Sequence, residues 1–171
     1  NPVLSSLNGL DNLSHVDGDI DIRGNDVLPN LAGLGNLNFV GGDITILYNA
    51  GLTSLIGLTV PTSFDGYLYI AYNNMLDSLA GLENITVFEG MIGISSNNSL
   101  NSLSGLDNLI SINGFLWLEG NALADLSALG NLTSIGGNFS MEYVPLLSDF
   151  SGLDDLSYIG ANLSVSSTNM I

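Results

Sequence analysis

Apolar and polar positions alternate in short runs that recur along the whole chain. Ile20/Ile22, Ile44/Ile46, Leu68/Ile70, Ile92/Ile94, Leu116/Leu118, Phe139/Met141 and Leu163/Val165 are apolar pairs separated by one residue. Period-two alternation predicts a strand with one buried face. Between the runs, apolar residues return at three-residue spacing, as in Leu4, Leu7, Leu10, Leu13 and Val16. That spacing predicts a tightly turning return arm. A strand and its arm make one coil of a solenoid, and only stacked coils bury such leucines.

The coils align on one leucine column: Leu4, Leu28, Leu52, Leu76, Leu100, Leu123 and Leu147, spaced 24 residues apart with a single 23. Asparagine stands three residues earlier at Asn1, Asn25, Asn49, Asn73 and Asn97. Asn121 stands two residues before Leu123, where one residue is deleted, and Val144 and Thr168 take the later slots. The prediction is a mainly β chain, a single right-handed parallel β-solenoid over residues 1–171 with about seven 24-residue coils and little regular helix. At a strand spacing of about 4.8 Å, such a stack is roughly 35 Å long. Repeat units account for the chain, with no linker, second domain or long insertion among them.

The asparagines are expected to turn inward and bond the backbone of adjacent coils, because an unpaired buried amide is costly. Val144 should interrupt that ladder. One glycine column precedes the strands (Gly18, Gly42, Gly66, Gly90, Gly114, Gly137, then Ala161). A second lies on the arms (Gly9, Gly33, Gly57, Gly81, Gly105, then Ala128 and Gly152). The two alanines suggest that close backbone approach matters at least as much as positive φ.

The run Ile20-Asp-Ile22-Arg-Gly-Asn25-Asp-Val-Leu28 resembles the leucine-rich-repeat signature. The longer units Ser102-Leu-Ser-Gly-Leu-Asp-Asn-Leu109 and Leu132-Thr-Ser-Ile-Gly-Gly-Asn-Phe139 look like the receptor L-domain-like repeats of secreted bacterial surface proteins of the Bacteroidetes type. Similar repeats occur in fungal wall proteins. The resemblance spans the whole chain and implies a leucine-rich-repeat type of solenoid. It implies adhesion, ligand binding or scaffolding rather than one function. The disulfides of animal receptor L-domains are absent, since the chain has no cysteine.

Charge narrows the partners. Arg23 is the single lysine or arginine against 17 acidic residues, giving a formal net charge of −16. Nucleic-acid binding begins with neutralising phosphates, so no nucleic-acid partner is expected. Docking on anionic membranes is equally disfavoured. No apolar run approaches the roughly 18 residues that span a bilayer, so no membrane insertion is expected. A secreted or cell-surface location follows from the resemblance. Hydrophobic residues make up 46% of the chain, which separates it from disordered acidic tails.

Catalysis needs a positioned acid, base or nucleophile. His15 is the only histidine and falls in a variable slot between Leu13 and Val16, where an exposed turn residue is the better reading. No phosphate loop or zinc-ligand spacing is present, and no enzyme is expected. No cofactor is expected either, apart from one weak calcium candidate. Asp19, Asp21 and Asp43 share a strand face, and three carboxylates within about 5–7 Å could hold calcium. Arg23 on the same face opposes this.

The outward strand positions carry the most specific signal. Coil by coil they are Asp19/Asp21, Asp43/Thr45, Tyr67/Tyr69, Met91/Gly93, Phe115/Trp117, Asn138/Ser140 and Asn162/Ser164. The outer coils are polar, whereas the middle ones hold aromatics. Tyr48, Tyr67, Tyr69, Tyr72, Met91, Phe115 and Trp117 should therefore stack into one patch, with Leu47 beside it and a hollow at Gly93 that a ring could enter. Exposed apolar patches mark interaction sites. The expected partner is a protein, a glycan or further copies of this chain. Aromatic stacking for its own sake is the alternative. A regular threonine ladder, as ice binding would need, is missing.

Asn-x-Ser/Thr sequons at Asn12, Asn84, Asn131, Asn138 and Asn162 are candidate glycosylation sites, and a sixth at Asn97 falls in the inward column. Finally, the chain opens in an asparagine slot and closes with Ile171 in a leucine slot. Uncapped coils are expected either to continue as a longer array or to stack head-to-tail into a filament.

Overall fold

The computed structural model describes residues 1–60 and 63–167, with only the backbone of residues 63 and 64. Thr168 and Ile171, named above as column members, lie outside the described residues. Each coil holds a two-residue strand and then a four-residue strand. In chain order they are β1 (His15–Val16), β2 (Ile20–Arg23), β3 (Phe39–Val40), β4 (Ile44–Leu47), β5 (Ser63–Phe64), β6 (Leu68–Ala71) and β7 (Val87–Phe88). They continue as β8 (Ile92–Ser95), β9 (Ser111–Ile112), β10 (Leu116–Glu119), β11 (Ser134–Ile135), β12 (Phe139–Glu142), β13 (Tyr158–Ile159) and β14 (Leu163–Ser166).

The longer strands form one parallel seven-stranded sheet in sequence order, from β2 at one edge to β14 at the other. Ile20, Ile44, Leu68, Ile92, Leu116, Phe139 and Leu163 are register partners along it. The short strands pair β1 with β3 and, separately, β5 through β13 in a five-stranded parallel sheet. The chain is thus a mainly β parallel solenoid, its seven long strands joined by turns of about 24 residues. Its described residues contain only one short 3-10 turn, Ser127–Leu129.

One core runs the length of the stack. The inward pairs of the long strands β4, β6, β8, β10 and β12 and the arm leucines Leu28, Leu52, Leu76, Leu100 and Leu123 are all buried. Along its margin runs the asparagine ladder. The backbone N–H groups of Asn25, Asn49, Asn73 and Asn97 donate to Oδ1 of the asparagine one coil on, at 3.0–3.1 Å. Each side-chain amide donates back to strand carbonyls, as Asn73 Nδ2 does to Ile46 at 2.9 Å and Ala71 at 3.1 Å. Asn121 keeps its place because the deletion falls just after it. Its Nδ2 reaches Ile94 O at 2.8 Å. The ladder ends where Val144 replaces asparagine.

The glycine columns divide by cause. Those on the arms are left-handed, with φ of 119° at Gly81, and a Cβ there would also strike the Leu55 carbonyl of the preceding coil. Positive φ and close approach therefore act together on the arms. Where Ala128 occupies this column, the backbone turns into the Ser127–Leu129 3-10 turn instead. The column before the strands has no positive φ; Gly90 and Gly114 there lie against the preceding coil's carbonyl.

Candidate functional site

The outward face of the large sheet is polar at its edges and aromatic in the middle, as its columns predict. Tyr67, Met91 and Phe115 precede β6, β8 and β10. Tyr67 and Phe115 are about half exposed and Met91 is partly buried. With Glu89, Gly90 and Gly114 they line a shallow cleft of about 350 Å³. Sequence reasoning named the three apolar members and missed Glu89, which sits in the turn column beside them.

Tyr69, Gly93 and Trp117 are register partners on β6, β8 and β10. The Tyr69 and Trp117 rings lean over Gly93 and stack at 5.9 Å between centroids, 7° from parallel. The hollow expected at Gly93 is therefore filled by the protein's own rings, and the glycine is buried. Tyr69 Oη lies 3.1 Å from Ser95 Oγ, which anchors the ring from below.

Tyr48 and Tyr72 form a separate stack, with centroids 4.7 Å apart and planes 8° from parallel. Two rings lying flat side by side would not approach so closely, so these overlap face to face. Both occupy a left-handed backbone slot, φ 57° and 58°, shared with Ser96 and Tyr143 and, in other coils, with Gly24 and Gly120. Such φ values strain an aromatic residue. No local motif forecasts this slot; the two glycines in the column are its only sequence signal. Leu47, beside the stack, is buried.

The aspartates proposed for calcium have other occupations. Asp19 Oδ1 accepts from Asp43 N–H, and Asp43 Oδ1 accepts from Tyr67 N–H, each at 2.8 Å. Asp21 pairs with Arg23. Among the described residues no three histidine, cysteine or acidic side chains cluster in a way that could hold a metal ion. His15 lies in β1 rather than in a turn. It is exposed, stacks on Phe39 at 4.5 Å and meets Asp17 Oδ1 at 2.8 Å.

The sequons fall into two groups. Asn12 and Asn84 are exposed on the arms. The others use their amides in bonds between coils: Asn131 Nδ2 donates to Asp107 O at 2.6 Å, and Asn162 Nδ2 to Asn138 Oδ1 at 3.0 Å. Asn97 is buried in the ladder. Among the described residues no helix is long and apolar enough to cross a membrane.

Fold and face together define a solenoid repeat protein with an aromatic strip across the middle of its sheet. Comparison with family models, curated proteins and solved structures returned no match to this chain.

Proposed function

We propose that this chain is a non-catalytic extracellular repeat module with an adhesive or structural role, whose rigid sheet face meets a protein partner through its central aromatic patch. Tyr67 and Phe115, half exposed around one cleft in the middle of a face that is polar at its edges, carry this reading. Rings at such density rarely face solvent without a partner. The period and the Leu-x-Ile-x-x-Asn runs support placing it with leucine-rich-repeat arrays of the receptor L-domain-like kind. A glycan platform is the rival.

The test is adhesion of chain-coated beads to one another and to films of protein or polysaccharide. The Tyr67→Ser/Phe115→Ser variant should lose adhesion to protein while keeping its circular dichroism. Undiminished adhesion, or saturable binding of polysaccharide alone, refutes the reading.

A second reading, assembly of copies end to end, is favoured by the apolar surfaces of the outer coils. Leu4, Leu7, Leu10 and Leu13 line a cleft of about 400 Å³ at one end, and Phe150, Leu153, Leu156 and Leu163 one of about 360 Å³ at the other. Coils stack on such surfaces, and a second copy or further coils of the same chain would cover them alike. Electron micrographs showing only compact particles at high concentration would remove this reading.

A further inference from the structure

The cleft between Tyr67 and Phe115 has a shape and a charge of its own. Tyr67 and Phe115 start from coils two apart, a backbone separation of roughly 9.6 Å at the strand spacing, with Met91 partly buried between them in the same column. The Phe115 ring is carried away from Met91 onto Gly137, where a Cβ would strike it. Gly90 and Gly114 line it without side chains, and the carbonyl of the preceding coil leaves no room for one at either. The result is a cleft lined by Met91 and the two glycines and edged by the Tyr67 and Phe115 rings, where a flat group meets a ring face at about 3.5–4 Å.

The rim is acidic. Glu89 lines the slot and is exposed, and Asn113, one coil on, donates to its Oε2. Asp65 precedes Glu89 by one coil in the same turn column. No cation balances these carboxylates. Arg23, the chain's single lysine or arginine, lies on β2 and pairs with Asp21.

We infer that this slot receives an arginine side chain of the protein partner. The inference rests on the partner-contact reading above and gives that contact its chemistry. A guanidinium is planar, so it lies flat against an aromatic wall of the cleft and gains cation–π contact there. Its fork of N–H donors matches a carboxylate, here that of Glu89. A lysine ammonium offers neither the flat face nor the fork.

Fluorescence anisotropy with a labelled Gly-Arg-Gly-Arg-Gly peptide tests this on the whole chain. Its citrulline counterpart keeps the shape without the charge, and its lysine counterpart keeps the charge without the fork. The arginine peptide should bind saturably and most tightly of the three. Glu89→Gln and Tyr67→Leu should each weaken it about two- to fivefold. Asp155→Asn, an equal loss of charge on an exposed arm, should leave it unchanged. Equal weakening by Asp155→Asn would mean diffuse attraction to a highly acidic surface and would overturn the slot. Equal affinity for the lysine or citrulline peptide would do the same. Bead adhesion lost in Tyr67→Ser/Phe115→Ser but indifferent to Glu89→Gln would refute the arginine and keep the face. Adhesion indifferent to both would remove the face as well.

Discussion

Replacing Asn73 by leucine should cost this protein a large part of its stability, although the two side chains have the same number of heavy atoms and the same branching. Asn73 is fully buried in the middle of the ladder. Its Oδ1 accepts from Asn49 N–H at 3.0 Å and from Asn49 Nδ2 at 3.2 Å. Its Nδ2 serves the carbonyls of Ile46 and Ala71. Leucine would leave the Asn49 N–H without its acceptor and both carbonyls without this donor. A buried group left unpaired costs about 1–3 kcal/mol. Carbonyls suffer less because each has a second lone pair. The sum is about 2–5 kcal/mol, a serious loss beside a typical domain stability of about 5–15 kcal/mol. Urea unfolding followed by circular dichroism reads it, with exposed Asn98→Ala as control. Amide exchange at Asn49 should accelerate in the same variant. Asn25→Leu, at the ladder's end, should cost less than Asn73→Leu. A loss below about 1 kcal/mol for Asn73→Leu, or parity with Asn98→Ala, would refute the ladder as a source of stability.

Two further predictions concern the rings and the acids. A Cβ on Gly93 would come within 2.9 Å of Tyr69 Cδ2 and 3.4 Å of Trp117 Cε3, so Gly93→Val should part the stack. The emission of Trp117, the only tryptophan, should shift, at an overpacking cost of about 1–3 kcal/mol; an unchanged spectrum would contradict the stack. On the arms, the Ser127 hydroxyl and then its backbone N–H hold the Asp125 carboxyl below the ordinary aspartate range. A lowered pKa in the folded state means stabilisation that is complete above the ordinary aspartate range and is lost as pH falls through the lowered value. Ser127→Ala should raise the Asp125 midpoint in a carbon-13 NMR titration. An unmoved midpoint would deny the hydroxyl its role.

Much of this was legible in the residues, because a 24-residue period assigns every position to a column before any coordinate is known. Alternation within Ile44-Thr-Ile-Leu47 sets Ile44 and Ile46 inward. Repetition places Asn49 above Asn25, and the deletion between Asn121 and Leu123 is visible as a change of spacing. Tyr67, Met91 and Phe115 share a column for the same reason, so their gathering needed no tertiary information.

What a side chain does within its column was decided only by its neighbours one or two coils away. Asp19 and Asp43 read as part of an acidic edge with a weak claim to calcium, yet their carboxylates accept N–H groups of the next coil, a bond between residues 24 apart. The space over Gly93 reads as open, yet Tyr69 and Trp117 lean in from either side, because stacking two rings outweighs leaving a gap in water. Phe115 turns toward Gly137, and that lean, together with Glu89 from the neighbouring column, makes the slot. The period determined which residues meet. Ring stacking, backbone strain at Tyr48 and Tyr72, and competition for N–H donors decided how they meet, and these depend on distances between coils that no single coil contains.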